Sequence, residues 1–304
     1  MGLLVHHPGT HSLLVDLGRP HTRSLGVPLG GAADRTAYLL GNALLGNAPE
    51  AVALEMTLFG PRLEATDTHT GVLSGAEFTV VVNQDKPISP GKTFTIRPGD
   101  QLAFTPPRRG LRAYLSVVGG FVAPELLGSR SAWQPLARGH RLDCPTSHQR
   151  GRFVRWDAPA PAEPVVLRVL HGSHAAQVGA EALVTQEYRV LPSSNRMGLR
   201  LQGSQPLQRL QAELLSAPVC PGTVQVTHDG QPVVLGVDAQ TIGGYPRAAH
   251  VIVADLDQLG QLRPGDAVRF AWVDLPTAEA AWQEHRAWLR EWQTRLAVVM
   301  DSRF

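Results

Sequence analysis

Cysteine, aromatic side chains and net charge are all scarce in this chain of 304 residues. Only Cys144 and Cys220 occur, far apart and with no second Cys or His at ligand spacing, which argues against a disulfide framework and against a zinc or other metal site. Two buried thiols are the expectation. Aromatics make up 6% of the residues and the formal charge is +2. The basic residues are scattered, so the cationic stripe and interleaved rings that a nucleic-acid backbone demands are missing. No apolar run reaches the roughly 18 residues needed to span a bilayer, and no charged start leads into an apolar core with a small-residue cleavage site. These absences predict a cytoplasmic protein with neither a membrane nor a nucleic-acid partner. Three catalytic signatures are absent as well: a Walker loop ending in Gly-Lys-Ser/Thr, a Gly-x-Ser-x-Gly elbow, and a Cys/His pair in catalytic context. The clusters His6, His7, His11 and His171, His174 read as a chain terminus and a loop.

Glycine and proline, by contrast, are abundant, with 30 and 24 copies. They punctuate short segments rich in Val, Leu, Ile, Thr and Phe, the texture of an all-β protein. Strands are predicted over Phe78–Val82, Lys92–Ile96, Leu102–Thr105, Ala113–Val118, Val165–Leu170, Val233–Val237 and Val251–Ala254. Two segments carry helical periodicity. From Asp34 to Leu45 the apolar Ala37, Leu40, Leu44 and Leu45 share a face, with Asp34 as N-cap and Gly46-Asn47 as the stop. From Thr277 to Val299, Trp282, His285, Leu289, Trp292 and Leu296 line one side. That helix is expected to dock on a barrel; alternatively its tryptophans, with Trp288, form a partner surface.

The run Asp157-Ala-Pro-Ala-Pro-Ala-Glu-Pro164 reads as a stiff linker, since repeated proline removes donors and favours extended backbone. The sequence on its C-terminal side echoes that on its N-terminal side. Thr95-Ile-Arg-Pro-Gly-Asp-Gln-Leu-Ala-Phe104 matches Gln261-Leu-Arg-Pro-Gly-Asp-Ala-Val-Arg-Phe270. Weaker echoes pair Asp34-Arg35 with Asn195-Arg196, Gly60–Leu63 with Gly203–Leu207, and Asp85–Ile88 with Gly230–Val233. Two copies of one β unit across a proline-rich joint fit paired barrels or sandwiches. The organisation read from this is a first β-barrel domain over 1–156, a Pro/Ala linker over 157–164, a second β-barrel domain over 165–275 and a C-terminal helix over 276–304.

Polar motifs embedded among glycines, where bare backbone admits a ligand, mark the candidate site. They are Asp16-Leu-Gly-Arg19, Gly26–Asp34, Leu54-Glu-Met-Thr57, Leu127-Gly-Ser-Arg-Ser131, Pro192–Gly198, Pro221–Val226, Asp229-Gly-Gln-Pro232 and Gln240–Arg247. A guanidinium is a planar fork that pairs a carboxylate or phosphate bidentately, so Arg130 and Arg196, each among small residues, are the candidate anion anchors. An internal acid partner for Arg196 and a turn-capping role for Asn195 are equally open readings, and structural roles are expected for Asp16, Asp34 and Glu55. Gln225, Gln231 and Gln240 supply neutral amide donors and acceptors.

In this order, over about residues 9 to 272, these motifs resemble those of the family of 5-oxoprolinase C-type subunits, a family also known as biotin-dependent carboxyltransferase or as the second subunit of allophanate hydrolase. The family's Gly-Val-Pro-x-Ser-Gly-Ala-Met-Asp is met by Gly26–Asp34, its Gly-Ser-Arg-Ser by Gly128–Ser131 and its Asp-Arg-Met-Gly by Asn195–Gly198. Its Gly-Gln-Pro and Gln-Thr-x-Gly-Gly-Tyr-Pro are met by Gly230–Pro232 and Gln240–Pro246. Three polar positions of the pattern are replaced here by Val15, Gly30 and Ala239. The resemblance implies two tandem cyclophilin-like β-barrels with a few short helices and a pocket between the halves. It also implies an enzyme subunit active only in complex with a smaller barrel subunit of the B type and a third subunit of the A type, hydrolysing 5-oxo-L-proline to L-glutamate. ATP is then a cosubstrate at the level of the complex. In that setting Arg130 and Arg196 are the expected catalytic groups, and Ser129, Ser131, Gln225, Gln231, Gln240, Thr241, Gly243, Gly244 and Tyr245 the expected substrate-binding ones. Two alternatives from the same family are a biotin-dependent carboxyltransferase of the urea carboxylase or allophanate type and a regulatory module antagonising a kinase inhibitor. The first would borrow its carrier from another protein, since no Met-Lys-Met biotinyl motif is present.

Overall fold

In the computed structural model the described residues are 1–149, 151–154, 163–208 and 214–301. Of the Pro/Ala segment 157–164, all but Glu163 and Pro164 lie outside them. The chain divides into two compact units: Met1–Arg19, Gly30–Asp157 and Trp288–Phe304 form the first, and Pro20–Leu29 with Ala158–Ala287 the second.

The first unit consists of two five-stranded antiparallel sheets. One runs in the order Arg141–Asp143, Gly2–His7, Arg62–Ala65, Gln101–Phe104, Val80–Val82, and the other His11–Val15, Ala53–Thr57, Arg112–Val117, His69–Gly75, Phe94–Ile96. Alternation sends Leu3, Val5, Leu63, Leu102 and Phe104 from one sheet and Leu54, Met56, Leu73 and Leu115 from the other into a common core. The helix Arg35–Leu45 starts at Asp34, whose side chain accepts the Ala37 N–H at 2.9 Å, and ends at Gly46 in the left-handed conformation. Asp34→Ala is expected to cost about 1 kcal/mol of stability, the usual value of such a cap. Urea unfolding read by circular dichroism measures it, and a midpoint equal to that of the wild type would contradict the assignment. Leu40, Leu44 and Leu45 of this helix bury against Leu296, with Trp288, Leu289 and Trp292 packed around them.

The second unit is a closed seven-stranded barrel in the order Val165–His171, Arg247–Val251, Thr223–Val226, Pro232–Leu235, Gly198–Gly203, Tyr188–Val190, Ala267–Trp272. The ring closes through the parallel pair Val165–His171 with Ala267–Trp272; the other pairs are antiparallel. Leu167, Val169, Tyr188, Leu201, Val224, Val226, Val234 and Phe270 fill its interior. A two-stranded flap, Ala217–Pro218 with Ile242–Gly243, accompanies the barrel. The helix Leu275–Asp301 contributes Ala278 and Ala281, which bury against Ile252 in this unit.

The repeated Arg-Pro-Gly-Asp is one turn made twice. Asp100 N donates to Arg97 O at 3.0 Å while Arg97 N donates to the Asp100 carboxylate at 2.7 Å, and Arg263 with Asp266 reproduces both distances. Gly99 and Gly265 take φ of 84° and 91°, where a side chain would be strained. Each glycine N–H donates at 2.8 Å to a neighbouring strand, at Ala65 O and Val190 O. The Asp85–Ile88 and Gly230–Val233 echo also falls on hairpins in both units. The other two echoes do not carry over, because Asp34-Arg35 opens a helix and Gly60–Leu63 enters a strand, whereas Asn195-Arg196 forms a turn and Gly203–Leu207 leaves one. The strand predicted over Val251–Ala254 ends instead at Val251. There the buried Asp255 carboxylate takes Arg168 Nε at 3.0 Å and Nη2 at 2.6 Å, and the chain turns into a short 3-10 helix at Val253–Asp255.

Candidate functional site

In the first unit the Gly-Ser-Arg-Ser motif is organised by Asp16. Its Oδ1 accepts the Ser129 and Ser131 hydroxyls at 2.6 Å each and the Gly18 N–H at 2.8 Å, and Oδ2 accepts the Arg130 N–H at 2.6 Å. Burial pushes this carboxyl up, but the four hydrogen bonds outweigh it and hold the group below the usual aspartate value. Ser129 and Ser131 are therefore buried with their hydroxyls turned inward to Asp16. The Arg130 side chain is half exposed and pairs with Glu125 at 2.9 Å. Arg19, 2% exposed, donates through Nε to Leu126 O at 3.2 Å and through Nη2 to Ser131 O, with its guanidinium 4.2 Å from the centre of the Trp133 ring.

The neighbouring segment is anchored in the same way. Ala32 N donates to Asp16 O at 2.9 Å, and a side chain on Gly31 would strike Gly18 N at 2.6 Å, so only glycine fits that crossing. Glu55 Oε2 accepts the Ala33 N–H at 2.9 Å and the Tyr114 hydroxyl at 2.8 Å, and that hydroxyl accepts the Asp34 N–H at 2.8 Å. Burial, together with the charges of Glu55 and Asp34, keeps Tyr114 protonated. Asp16, Asp34 and Glu55 thus hold backbone in place. At the three positions where the pattern loses a polar group, Val15 and Ala239 are buried among apolar neighbours and Gly30 takes φ of 64°.

In the second unit the sequence left Arg196 open between an anion anchor and an internal ion pair. The structure gives it an internal partner: Nε and Nη2 donate to the Asp238 carboxylate at 2.6 and 2.9 Å, with Arg196 itself buried. Asn195 caps its turn through Oδ1, which accepts the Met197 N–H at 2.8 Å. Gln231 Oε1 accepts the Gly203 N–H at 2.8 Å. Thr241 is buried, with its carbonyl accepting the Val219 N–H at 3.0 Å, while Gln240 is exposed. Tyr245 meets His228 edge to face at 5.2 Å.

Gln225 is different. It is 2% exposed, and its Nε2 has no acceptor among the described residues. Val224 and Val226 point into the barrel, so Gln225 lies on the outer face, beneath the flap. A side chain on Gly243 would come within 2.8 Å of Gln225 Nε2 and 3.6 Å of Gln240 Nε2. Directly across the ladder from Gln225 is Arg247, and opposed residues of an antiparallel pair share a face. Arg247 Nη1 donates to Pro218 O of the flap at 3.3 Å, yet its buried Nε likewise has no acceptor among the described residues. The Arg247 N–H donates to His174 Nδ1 at 3.3 Å; burial and then the Arg247 charge hold His174 below the ordinary histidine value. Buried donors without an acceptor cost about 1–3 kcal/mol each in a folded protein, and here two of them belong to residues paired across one ladder. Sequence reasoning placed Gln225 in the site and missed Arg247, although it closes the Gln240–Arg247 motif; its adjacency to Gln225 arises only from strand register.

A sequence profile for the carboxyltransferase domain, subdomains A and B, matches residues 25–272. The chain belongs to this carboxyltransferase-domain family. Among curated members, the C subunit of 5-oxoprolinase from Haemophilus influenzae is 33% identical over 88% of this chain and 90% of its own length. The Escherichia coli protein of the same name is 32% identical over 97% and 98% respectively. The crystal structure of Kluyveromyces lactis urea carboxylase superposes with a TM-score of 0.84 and 27% identity, covering 96% of this chain but 29% of that one. This carboxyltransferase-family chain thus shares its mostly β architecture with solved members, and no helix among its described residues is long and apolar enough to cross a membrane.

Proposed function

We propose that this chain is the C-type subunit of an ATP-dependent 5-oxoprolinase, working with a smaller B-type barrel subunit and a third A-type subunit, and that the second unit holds the substrate carboxylate. The reading rests on the two named relatives matched over nearly their whole length, and the observation that carries it to a place is the orphaned donor pair Gln225 Nε2 and Arg247 Nε. Two donors on one face suit the two oxygens of one carboxylate.

The chemistry requires such a grip. A five-membered lactam is a resonance-stabilised amide with little ring strain, and water does not open it unaided. Transfer of the ATP γ-phosphoryl group to the lactam oxygen, releasing ADP, turns that oxygen into a leaving group. Water then adds to the carbon, the carbon–nitrogen bond breaks as the nitrogen takes a proton, and the acyl phosphate left behind is hydrolysed by a second water to glutamate and phosphate. Within this chain Gln225 and Arg247 orient the ring by its carboxylate. Arg196 is assigned a positioning role, ordering the 195–198 turn through Asp238.

The likeness to urea carboxylase favours a second reading, carboxyl transfer from carboxybiotin on a partner protein. Reconstitution with B- and A-type subunits separates the two. Glutamate release from 5-oxoproline that depends on ATP is the expected result; carboxylation of urea by a carboxybiotin carrier, with no glutamate formed, would overturn the proposal.

A further inference from the structure

Of the two cysteines, Cys144 is buried as the sequence suggested, but Cys220 is exposed, which corrects that expectation. Cys220 lies on the chain between the flap strand Ala217–Pro218 and the strand Thr223–Val226, where Pro221 and Gly222 turn the backbone. Its N–H donates to Thr223 Oγ1 at 3.1 Å and its Sγ lies 3.5 Å from the same oxygen. Thr223 Oγ1 in turn lies 3.3 Å from His250 Nδ1 on the adjacent strand, so the thiol of the turn, the hydroxyl and the imidazole form a connected cluster. Thr223 is completely buried and rigidly placed by the ladder. The charge of Arg23, on the Pro20–Leu29 segment of the same unit, acts on the thiol, and its buried Nη1 has no acceptor among the described residues. The charged and titratable groups acting on Cys220 are thus His250 and Arg23, and both favour the anionic sulfur.

We propose that Cys220, with His250, Thr223 and Arg23, is a peroxide-reactive thiol site. The thiolate sulfur attacks one oxygen of hydrogen peroxide; a sulfur–oxygen bond forms, the oxygen–oxygen bond breaks, and hydroxide leaves with the electron pair. Sulfur is oxidised by two electrons and the peroxide is reduced. A low-molecular-weight thiol then attacks the sulfenic sulfur, water leaves, and a mixed disulfide remains, from which a second thiol restores Cys220. The site is independent of the 5-oxoprolinase reading, because its chemistry needs neither substrate nor partner subunits.

The nearby His250 imidazole, whose effect outweighs the opposing effect of burial and is aided by the Thr223 hydroxyl, holds the Cys220 thiol below its ordinary value. Burial pushes Cys144 up to about 12 and makes it a silent internal control. The test is alkylation of the intact chain by iodoacetamide from about pH 5 to 10, read at each cysteine by peptide mass, with sulfenic acid trapped by dimedone after peroxide. The expected result is labelling at Cys220 with a midpoint below the ~8.5 of a free thiol, none at Cys144, and dimedone capture at Cys220 faster than for glutathione under the same conditions. His250→Gln, which retains a planar polar side chain, should raise the midpoint by about one pH unit. A wild-type midpoint at or above that of free cysteine, an unmoved profile in His250→Gln, or trapping no faster than glutathione would each overturn the proposal.

Discussion

Replacing Asp16 with alanine is expected to lower the unfolding free energy by about 3–5 kcal/mol, among the larger effects a single substitution produces. The carboxylate is the common acceptor for two serine hydroxyls and two backbone N–H groups drawn from opposite ends of the first unit's sequence. Hydrogen bonds to a charged group contribute about 1.5–3 kcal/mol each, and losing the acceptor leaves buried donors unpaired, although the four effects do not add. Asp16→Asn should recover only part of the loss, since its amide would set an N–H against either the Arg130 N–H or the Gly18 N–H. The pH dependence has a definite sign. A depressed folded pKa stabilises above the unfolded value of about 3.9 and loses that stabilisation as pH falls through the folded value. The gap in urea midpoint between wild type and Asp16→Ala should therefore be full near neutrality and shrink below about pH 4. A gap that stays constant into acid would mean that the charge of Asp16 is not what holds the loop.

The second large effect is catalytic. Arg247→Ala and Gln225→Ala should each reduce glutamate release by the reconstituted complex about 10²-fold or more, the usual consequence of losing a group that positions the substrate. Their stability should move little or even rise, because each orphaned donor carries a desolvation cost in the ligand-free chain. That combination separates them from Arg196→Ala. Removing that guanidinium strips Asp238 of a bidentate partner, so loss of activity there is expected together with a lower melting temperature. Activity that survives in both Arg247→Ala and Gln225→Ala would remove the second-unit donor pair from the reaction.

Local chemistry was legible in the sequence wherever short-range sterics decide the outcome. Proline and glycine in Arg-Pro-Gly-Asp fix the same turn at both copies, and Asp34 caps its helix because an N-cap needs only a residue three positions ahead. The all-β character and the run of short strands follow from alternation between turn residues. What escaped depended on register between distant segments. Gln225 and Arg247 become neighbours only through the pairing of Thr223–Val226 with Arg247–Val251, and the role of Asp16 requires the 128–131 loop to cross back over Gly18. The early end of the last-but-one barrel strand reflects a buried Arg168–Asp255 pair, which periodicity cannot see. Cys220 was expected to be buried because isolated cysteines usually are, whereas the Pro-Gly turn beside it lifts the thiol to the surface.

The measurement that bears most directly on the carboxylate receptor compares two lactams in the reconstituted complex. 5-Oxoproline and 2-pyrrolidinone share the reacting amide and differ only in the carboxylate. Wild type should turn over 5-oxoproline with a kcat/KM at least about 10³-fold higher, and Arg247→Ala should erase most of that preference, because the guanidinium and the carboxylate act as one interaction. A variant that loses activity on both lactams equally, with the preference intact, would contradict the assignment of Arg247 and Gln225 to the substrate carboxylate.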